Sequence, residues 1–215
     1  MRYLLSILFL CVSMNTYSQQ IFSEGVLQYD VTIDPPANQE GVLQYKGLYT
    51  ITVKGSVVKE TLELDNGYQT SLLFNHRDKT VYSLKKVGQK NLAIQLDWNQ
   101  LEAKRQKFEG YDFKPMADTK EIANINANHA SIIYKNGSIA DVYYSKEWTP
   151  GYIVFDNYPH VNNLLLSFSN KHDDGLTIYF SAKKIDARPI DNADLRIPAH
   201  YKIISNSEYQ QMTGK

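Results

Sequence analysis

Strict alternation of apolar and polar residues runs through most of this chain, and it decides what the chain can fold into. Leu27, Tyr29, Val31 and Ile33 alternate with Gln28, Asp30 and Thr32. Tyr49, Ile51 and Val53 alternate with threonines, and Leu92, Ile94, Leu96 and Trp98 with Ala93, Gln95 and Asp97. Leu164, Leu166 and Phe168 repeat the pattern, as do Leu176, Ile178, Phe180 and Ala182. A period of two puts one set of side chains on one face of a strand, so each segment reads as a β-strand with a single buried face. The 16 tyrosines and 8 phenylalanines point the same way, because aromatic rings suit a pleated, half-buried surface.

Turn residues fix how the strands connect. Asn66-Gly67 and Asn136-Gly137 each lie between strand-like runs and favour the φ > 0 conformations of two-residue hairpins. Two-residue pairing at the second turn sets Ile132 opposite Asp141 and Tyr134 opposite Ile139. Ala130 and Tyr143 complete that face, and Ile133, Ala140, Val142 and Tyr144 fall on the other, beside Ser131 and His129. Both faces are then mixed, as expected of a sheet covered on each side. Pro35-Pro36 closes the first strand, and 170–175 (NKHDDG) connects the last two strong ones. The string GVLQY, at 25–29 and 41–45, reads as two similar strands. Residues 117–130 read as a loop with a short strand.

Helix is scarce. Asn99 and Glu102 have capping-box spacing, and Trp98, Leu101, Arg105 and Phe108 follow helical spacing before Gly110. Ser205 and Glu208 form a second box ahead of Tyr209 to Met212. The predicted fold is mostly β: a curved antiparallel sheet, half-barrel-like, with one or two short covering helices.

The first 18 residues read as a secretory signal peptide. Arg2 precedes an apolar run, 3–12, followed by a polar stretch with Thr16 and Ser18 at the −3 and −1 positions. That run is half the roughly 20 residues a membrane span requires. Cleavage is expected between Ser18 and Gln19, leaving 19–215 as a single β-rich domain in the periplasm or secreted, not membrane-spanning. Cys11, the one cysteine, leaves with the signal, and thiol chemistry and disulfides leave with it.

Charge and motifs exclude further classes. Lysine and arginine number 23, as do aspartate and glutamate, so the basic field of a nucleic-acid binder is missing. The five histidines include no helical i, i+4 pair, and His172-Asp173-Asp174 reads as a solvated turn. No nucleophile elbow, phosphate-binding glycine loop or calcium-loop pattern occurs. The reading is a non-enzyme with no catalytic residues, no metal and no cofactor.

From Asp118 onward the chain resembles exported envelope proteins of the GLPGLI type and lipoprotein-carrier-like (LolA/LolB-like) proteins. Thr119-Lys120-Glu121-Ile122-Ala123, the hairpin 130–148, Ala182-Lys183-Lys184-Ile185 and Leu195-Arg196-Ile197-Pro198-Ala199-His200-Tyr201 carry the resemblance. The GLPGLI string itself is replaced by Asn163-Leu164-Leu165-Leu166. The resemblance implies a half-barrel with an apolar concave face covered by helices. Two functions are expected: binding or carrying an apolar, lipid-like ligand, because the curved sheet has apolar residues on both faces, or serving as a non-catalytic structural or interaction subunit of an envelope complex, docked through exposed strand edges. For the first, Tyr134, Asp141, Tyr143, Phe168 and Phe180 are the candidate ligand-binding residues, with Asp141 as a polar anchor. A solvated sheet face is the other place Asp141 can occupy.

Overall fold

A computed structural model describes residues 19–36, 44–172 and 175–214. The signal segment with Cys11, most of the second GVLQY copy, and Asp173 and Asp174 lie outside the described residues.

The chain is mostly β, built around an open, curved sheet that does not close into a barrel. A two-residue strand, β1 (Gln20–Ile21), precedes a run of antiparallel hairpins. These are β2 (Glu24–Asp34), β3 (Tyr45–Lys54), β4 (Val57–Leu64), β5 (Gln69–Asn75), β6 (Thr80–Val87) and β7 (Lys90–Leu96). Helix α1 (Trp98–Gln106) then leads to a second run. It comprises β8 (Asp112–Ile122), β9 (Ile125–Ile133), β10 (Ile139–Tyr144), the short β11 (Trp148–Thr149), β12 (Leu165–Lys171) and β13 (Thr177–Asp186). A 3-10 turn (Asn192–Leu195), β14 (Lys202–Ser205) and helix α2 (Asn206–Thr213) end the described chain.

Twelve strands form one sheet in the order β14-β7-β6-β5-β4-β3-β2-β13-β12-β10-β9-β8, while β1 and β11 pair separately. Antiparallel pairing of β2 with β13 joins the two runs, with Val31 opposite Phe180 and Asp34 opposite Thr177. At one margin β14 pairs in parallel with β7. Residues 187–201 reach it across the outer surface, where the Lys54 and Lys59 ammoniums donate to the carbonyls of Ile190 and Asp194.

The concave face carries the core. Tyr29, Val31, Ile51, Phe168 and Phe180 are buried there, and the Tyr29 hydroxyl donates to the Leu165 carbonyl at 2.9 Å. Rings dominate: Phe168 stacks on Phe180 at 4.6 Å and meets Phe155, Tyr29 and Tyr158 edge-on. Such edge and offset contacts add to the burial of the rings themselves. The 150–164 segment folds over this end, so Leu164, Leu165 and Leu166 are all buried.

Three local expectations are corrected. Both Asn-Gly loops have three residues rather than two: in β4–β5 Leu64 N–H donates to Tyr68 O with Gly67 at φ 83°, and in β9–β10 Tyr134 N–H donates to Ser138 O with Gly137 at φ 80°. Each register is therefore one residue from two-residue pairing: Glu63 faces Gln69 between β4 and β5, and between β9 and β10 Asp141 faces Ser131 and Ala140 faces Ile132. A one-residue slip exchanges the faces. Ala130, Ile132, Val142 and Tyr144 are buried together on one side, with His129, Ser131, Asp141 and Tyr143 on the other. The faces are thus sorted rather than mixed.

The second correction concerns 117–130, which forms most of β8 and β9 rather than a loop. β8 is exposed along nearly its whole length, so it has no apolar phase for the sequence to display. The third concerns α1, whose N-cap is Asp97, accepting from the Asn99 and Gln100 amides, not Asn99. By contrast, Ser205 and Glu208 form the capping box of α2.

A candidate ligand cavity beneath the first helix

Helix α1 lies over the concave face and leaves a cavity of about 510 Å³ beneath it. That volume falls within the ~300–1,000 Å³ typical of small-molecule sites. The helix is held at its start by Trp98, edge-on to Phe74 and His76. It is held in its last turn by Arg105, which is 7% exposed. Arg105 Nε donates to Asp156 Oδ1 at 2.9 Å and a terminal nitrogen donates to Glu102 Oε1 at 2.7 Å. Its guanidinium also lies over the Phe74 ring. Burial pulls the Arg105 pKa down, but Asp156 and Glu102 outweigh that and hold it above its ordinary value.

The cavity wall is mostly apolar: Leu62, Leu72, Leu101, Phe108, Ile178 and Phe180. Polar side chains share the wall, Thr70, Arg105, Asp156 and Asn157 among them, and two more, Glu60 and Asn170, bear most on its chemistry. Glu60 stands on β4 opposite Ile51 and Leu72, at the inward phase of the strand. Water reaches part of its surface, but protein surrounds its carboxyl. Desolvation, reinforced by the Asp156 charge, pushes its pKa up to about 8 against the pull of the Tyr49 hydroxyl and Arg105. Glu60 is thus a neutral acid at pH 7, able to share its proton rather than present a charge. The same burial, with Glu60 beside it, drives the Tyr49 hydroxyl well above its ordinary range.

Asn170, on β12 opposite Ile178, is the second polar group. Among the described residues its Oδ1 is the one buried side-chain polar atom without a hydrogen-bond partner. A buried acceptor left unmatched costs about 1–3 kcal/mol.

The sequence-predicted residues divide between two faces. Phe180 lines the cavity, and Phe168 stacks behind it. Tyr134 is half-buried and donates to the carbonyl of Asn157, itself a wall residue. Asp141 and Tyr143 lie on the opposite, outer face. There Ser131 Oγ donates to Asp141 Oδ1 at 2.8 Å. His129 bridges Asp118 Oδ1 at 2.8 Å and Asp141 Oδ1 at 3.3 Å, and stacks on Tyr143. The hydrogen bond to Asp118, with the Asp141 contact added, raises the His129 pKa, and that hydrogen bond lowers the pKa of Asp118. The hydroxyl here meets the carboxylate and not the imidazole, unlike the arrangement that activates a serine nucleophile.

Glu60, Tyr49, Arg105 and Asn170 were absent from the sequence-predicted set. A signal for Glu60 does exist, since it occupies the phase of Val58 and Leu62, where an apolar residue is expected. Asn170 breaks the Leu166, Phe168 phase in the same way. Among the described residues no group of three or more His, Cys, Asp or Glu could hold a metal ion, and no helix is long and apolar enough to cross a membrane.

No family model and no curated protein sequence matches the chain. Solved structures with a similar sheet include MucB, at a TM-score of 0.45 and 10% identity over 84% of this chain and 60% of MucB. PNGF-II gives 0.43 and 13% over 89% of this chain and 34% of its own. A LolA superfamily protein from Nitrosomonas europaea gives 0.41 and 11% over 83% and 92%. The chain thus spans less than two thirds of the first two proteins. Likeness at this level does not extend to function.

Proposed function

We propose that this protein binds an apolar, lipid-like molecule in the cavity beneath α1 and carries it in the periplasm or outside the cell. The observation that supports this reading is the cavity itself: about 510 Å³, with Leu62, Leu72, Leu101, Phe108, Ile178 and Phe180 as its apolar wall and polar groups such as Glu60 and Asn170 set among them. That composition is the usual one of a small-molecule site, where apolar surface supplies affinity and a few polar atoms fix orientation. Phe180 contacts the ligand directly in this reading. Phe168 and Tyr134 shape the wall from behind, through the ring stack and the Asn157 contact.

Ile178→Trp tests it by filling the space. Titration with a fluorescent fatty-acid probe should saturate on the parent and weaken about tenfold or more in the variant, with the circular dichroism spectrum unchanged. A parent that shows no saturable binding, or a variant that binds equally well, contradicts the proposal. Asp141→Asn serves as a control from the outer face. It should leave probe affinity within about twofold, a free-energy change of only about 0.4 kcal/mol. A loss near tenfold would mean that the outer cluster communicates with the cavity.

The second reading, an interaction subunit, draws support from β8. This marginal strand pairs with β9 alone among the described residues, and its outer edge can accept an added strand. Against that, Pro115 and the break in register between Pro115 and Thr119 interrupt the edge, as strands that avoid unwanted pairing do. Native mass spectrometry of protein taken from its own cell envelope separates the two readings. A bound lipid mass supports the carrier, and a stoichiometric protein partner supports the subunit.

A further inference from the structure

We infer that the cavity takes its ligand only while Glu60 carries a proton, and that the ligand is an uncharged lipid whose carbonyl oxygen (ester, amide or ketone) accepts a hydrogen bond from that proton. This rests on the carrier reading above and adds the ligand's polar group and the condition for its release.

Position is the first ground. Glu60 stands between Ile51 and Leu72 across the sheet and shares its strand face with Val58 and Leu62. It is half-buried and forms part of the cavity wall, so the water that reaches it is water in the cavity. An apolar ligand displaces that water. A neutral carboxyl tolerates the loss, whereas a carboxylate gives up its remaining solvation among aliphatic groups, at a much higher cost. An apolar ligand and a charge on Glu60 therefore exclude one another, and only the protonated fraction of the protein is competent to bind.

The neighbours of Glu60 are the second ground. The Tyr49 hydroxyl on β3 donates to it, since that hydrogen bond favours the ionised form. Arg105 on α1 holds only donors, and these go to Asp156 and Glu102. Asp156 in the covering segment acts on Glu60 through its charge, and its Oδ1 is taken up by Arg105 at 2.9 Å. Lys104, Lys107, Lys171 and His172 also border the cavity and act on Glu60 less than these groups. None of the groups acting on Glu60 takes the proton of the neutral acid, and the side of Glu60 that water reaches is the cavity side. A hydrocarbon leaves that O–H unmatched, whereas a carbonyl oxygen matches it. A carboxylate in that place would add to the Asp156 charge, so the matching group is uncharged.

Fluorescence titration with two uncharged dyes tests this: prodan, which carries a ketone, and diphenylhexatriene, a hydrocarbon. With Glu60 titrating at about 8, both should bind about tenfold more weakly at pH 9 than at pH 6.5, with circular dichroism showing the fold intact at each pH. Glu60→Gln should make both affinities independent of pH. Glu60→Leu should do the same and also weaken prodan about fivefold relative to diphenylhexatriene, through loss of one hydrogen bond. A flat profile in the parent, or a fall with pH that survives in Glu60→Gln, overturns the coupling to Glu60. Prodan and diphenylhexatriene responding alike to Glu60→Leu overturns the carbonyl assignment. In each of these cases saturable binding leaves the carrier reading standing. If neither dye binds at any pH, the carrier reading itself fails.

Discussion

Phe168→Ala is expected to destabilise the protein by about 3–5 kcal/mol, as large-to-small changes of a buried aromatic do. Phe168 is 5% exposed and sits where four other rings converge: Phe180 face to face, and Phe155, Tyr29 and Tyr158 edge-on. The neighbours cannot close the gap easily. Tyr29 is anchored by its hydroxyl to the Leu165 carbonyl and Tyr158 to the Ser169 carbonyl at 2.6 Å. A domain of this size has about 5–15 kcal/mol of stability in total, so a large part would go. Urea unfolding followed by circular dichroism measures it, and a loss under about 1 kcal/mol would show that the ring cluster does not hold the sheet together. Phe180→Ala should cost less, because Phe180 already borders the cavity and its removal enlarges an existing space.

The second large effect depends on pH and centres on Glu60. A carboxyl whose folded pKa, about 8, exceeds the ordinary 4.5 keeps its proton on folding when the unfolded chain has lost it. Folding then takes up a proton, so stability falls as pH rises from near 4.5 to about 8 and levels off above that. The full shift corresponds to roughly 5 kcal/mol, and partial contact with water reduces this to a few. Tyr49 on β3, Asp156 in the covering segment and Arg105 on α1 are the polar groups acting on it. Lys104, Lys107, Lys171 and His172 border the same cavity.

Glu60→Gln keeps the shape and removes the ionisation. It should be nearly neutral at pH 5 and stabilising by about 1–3 kcal/mol at pH 8.5. Urea midpoints of parent and variant at the two pH values decide it. Parallel pH profiles would mean that Glu60 ionises freely in the folded protein.

Legibility in the sequence followed burial. Wherever one strand face is buried, alternation revealed the strand, and β2, β3, β12 and β13 are where it is clearest. It failed for β8, because a marginal strand exposed on both sides has no phase to show. The sorted faces of β9 and β10 were hidden by one residue of loop length. Lys135-Asn136-Gly137 makes a three-residue turn, and the change of register moved Asp141 from beside Ile132 to beside Ser131. The capping box of α2 was readable because both partners are local in sequence. The cavity was not, since Glu60, Arg105 and Asn170 meet only through the fold. Their mark in the sequence is indirect: polar residues standing at apolar phases of β4 and β12, and an arginine on the apolar face of α1.

The seam between β2 and β13 has a consequence for the order of assembly. From β2 to β7 every pairing is between neighbours in the chain, and the same holds from β8 to β10. These two ribbons can each form from short loops. Joining them pairs Val26 with Asp186 and Asp34 with Thr177, partners separated by most of the chain. Closing so long a loop is entropically slow and comes after the local hairpins. Until then β2 presents Leu27, Tyr29 and Val31 along an unpaired edge. The nascent protein therefore passes through a stage in which a strand that ends up in the middle of the core is open to other chains, and a folding helper in its compartment would act at that point.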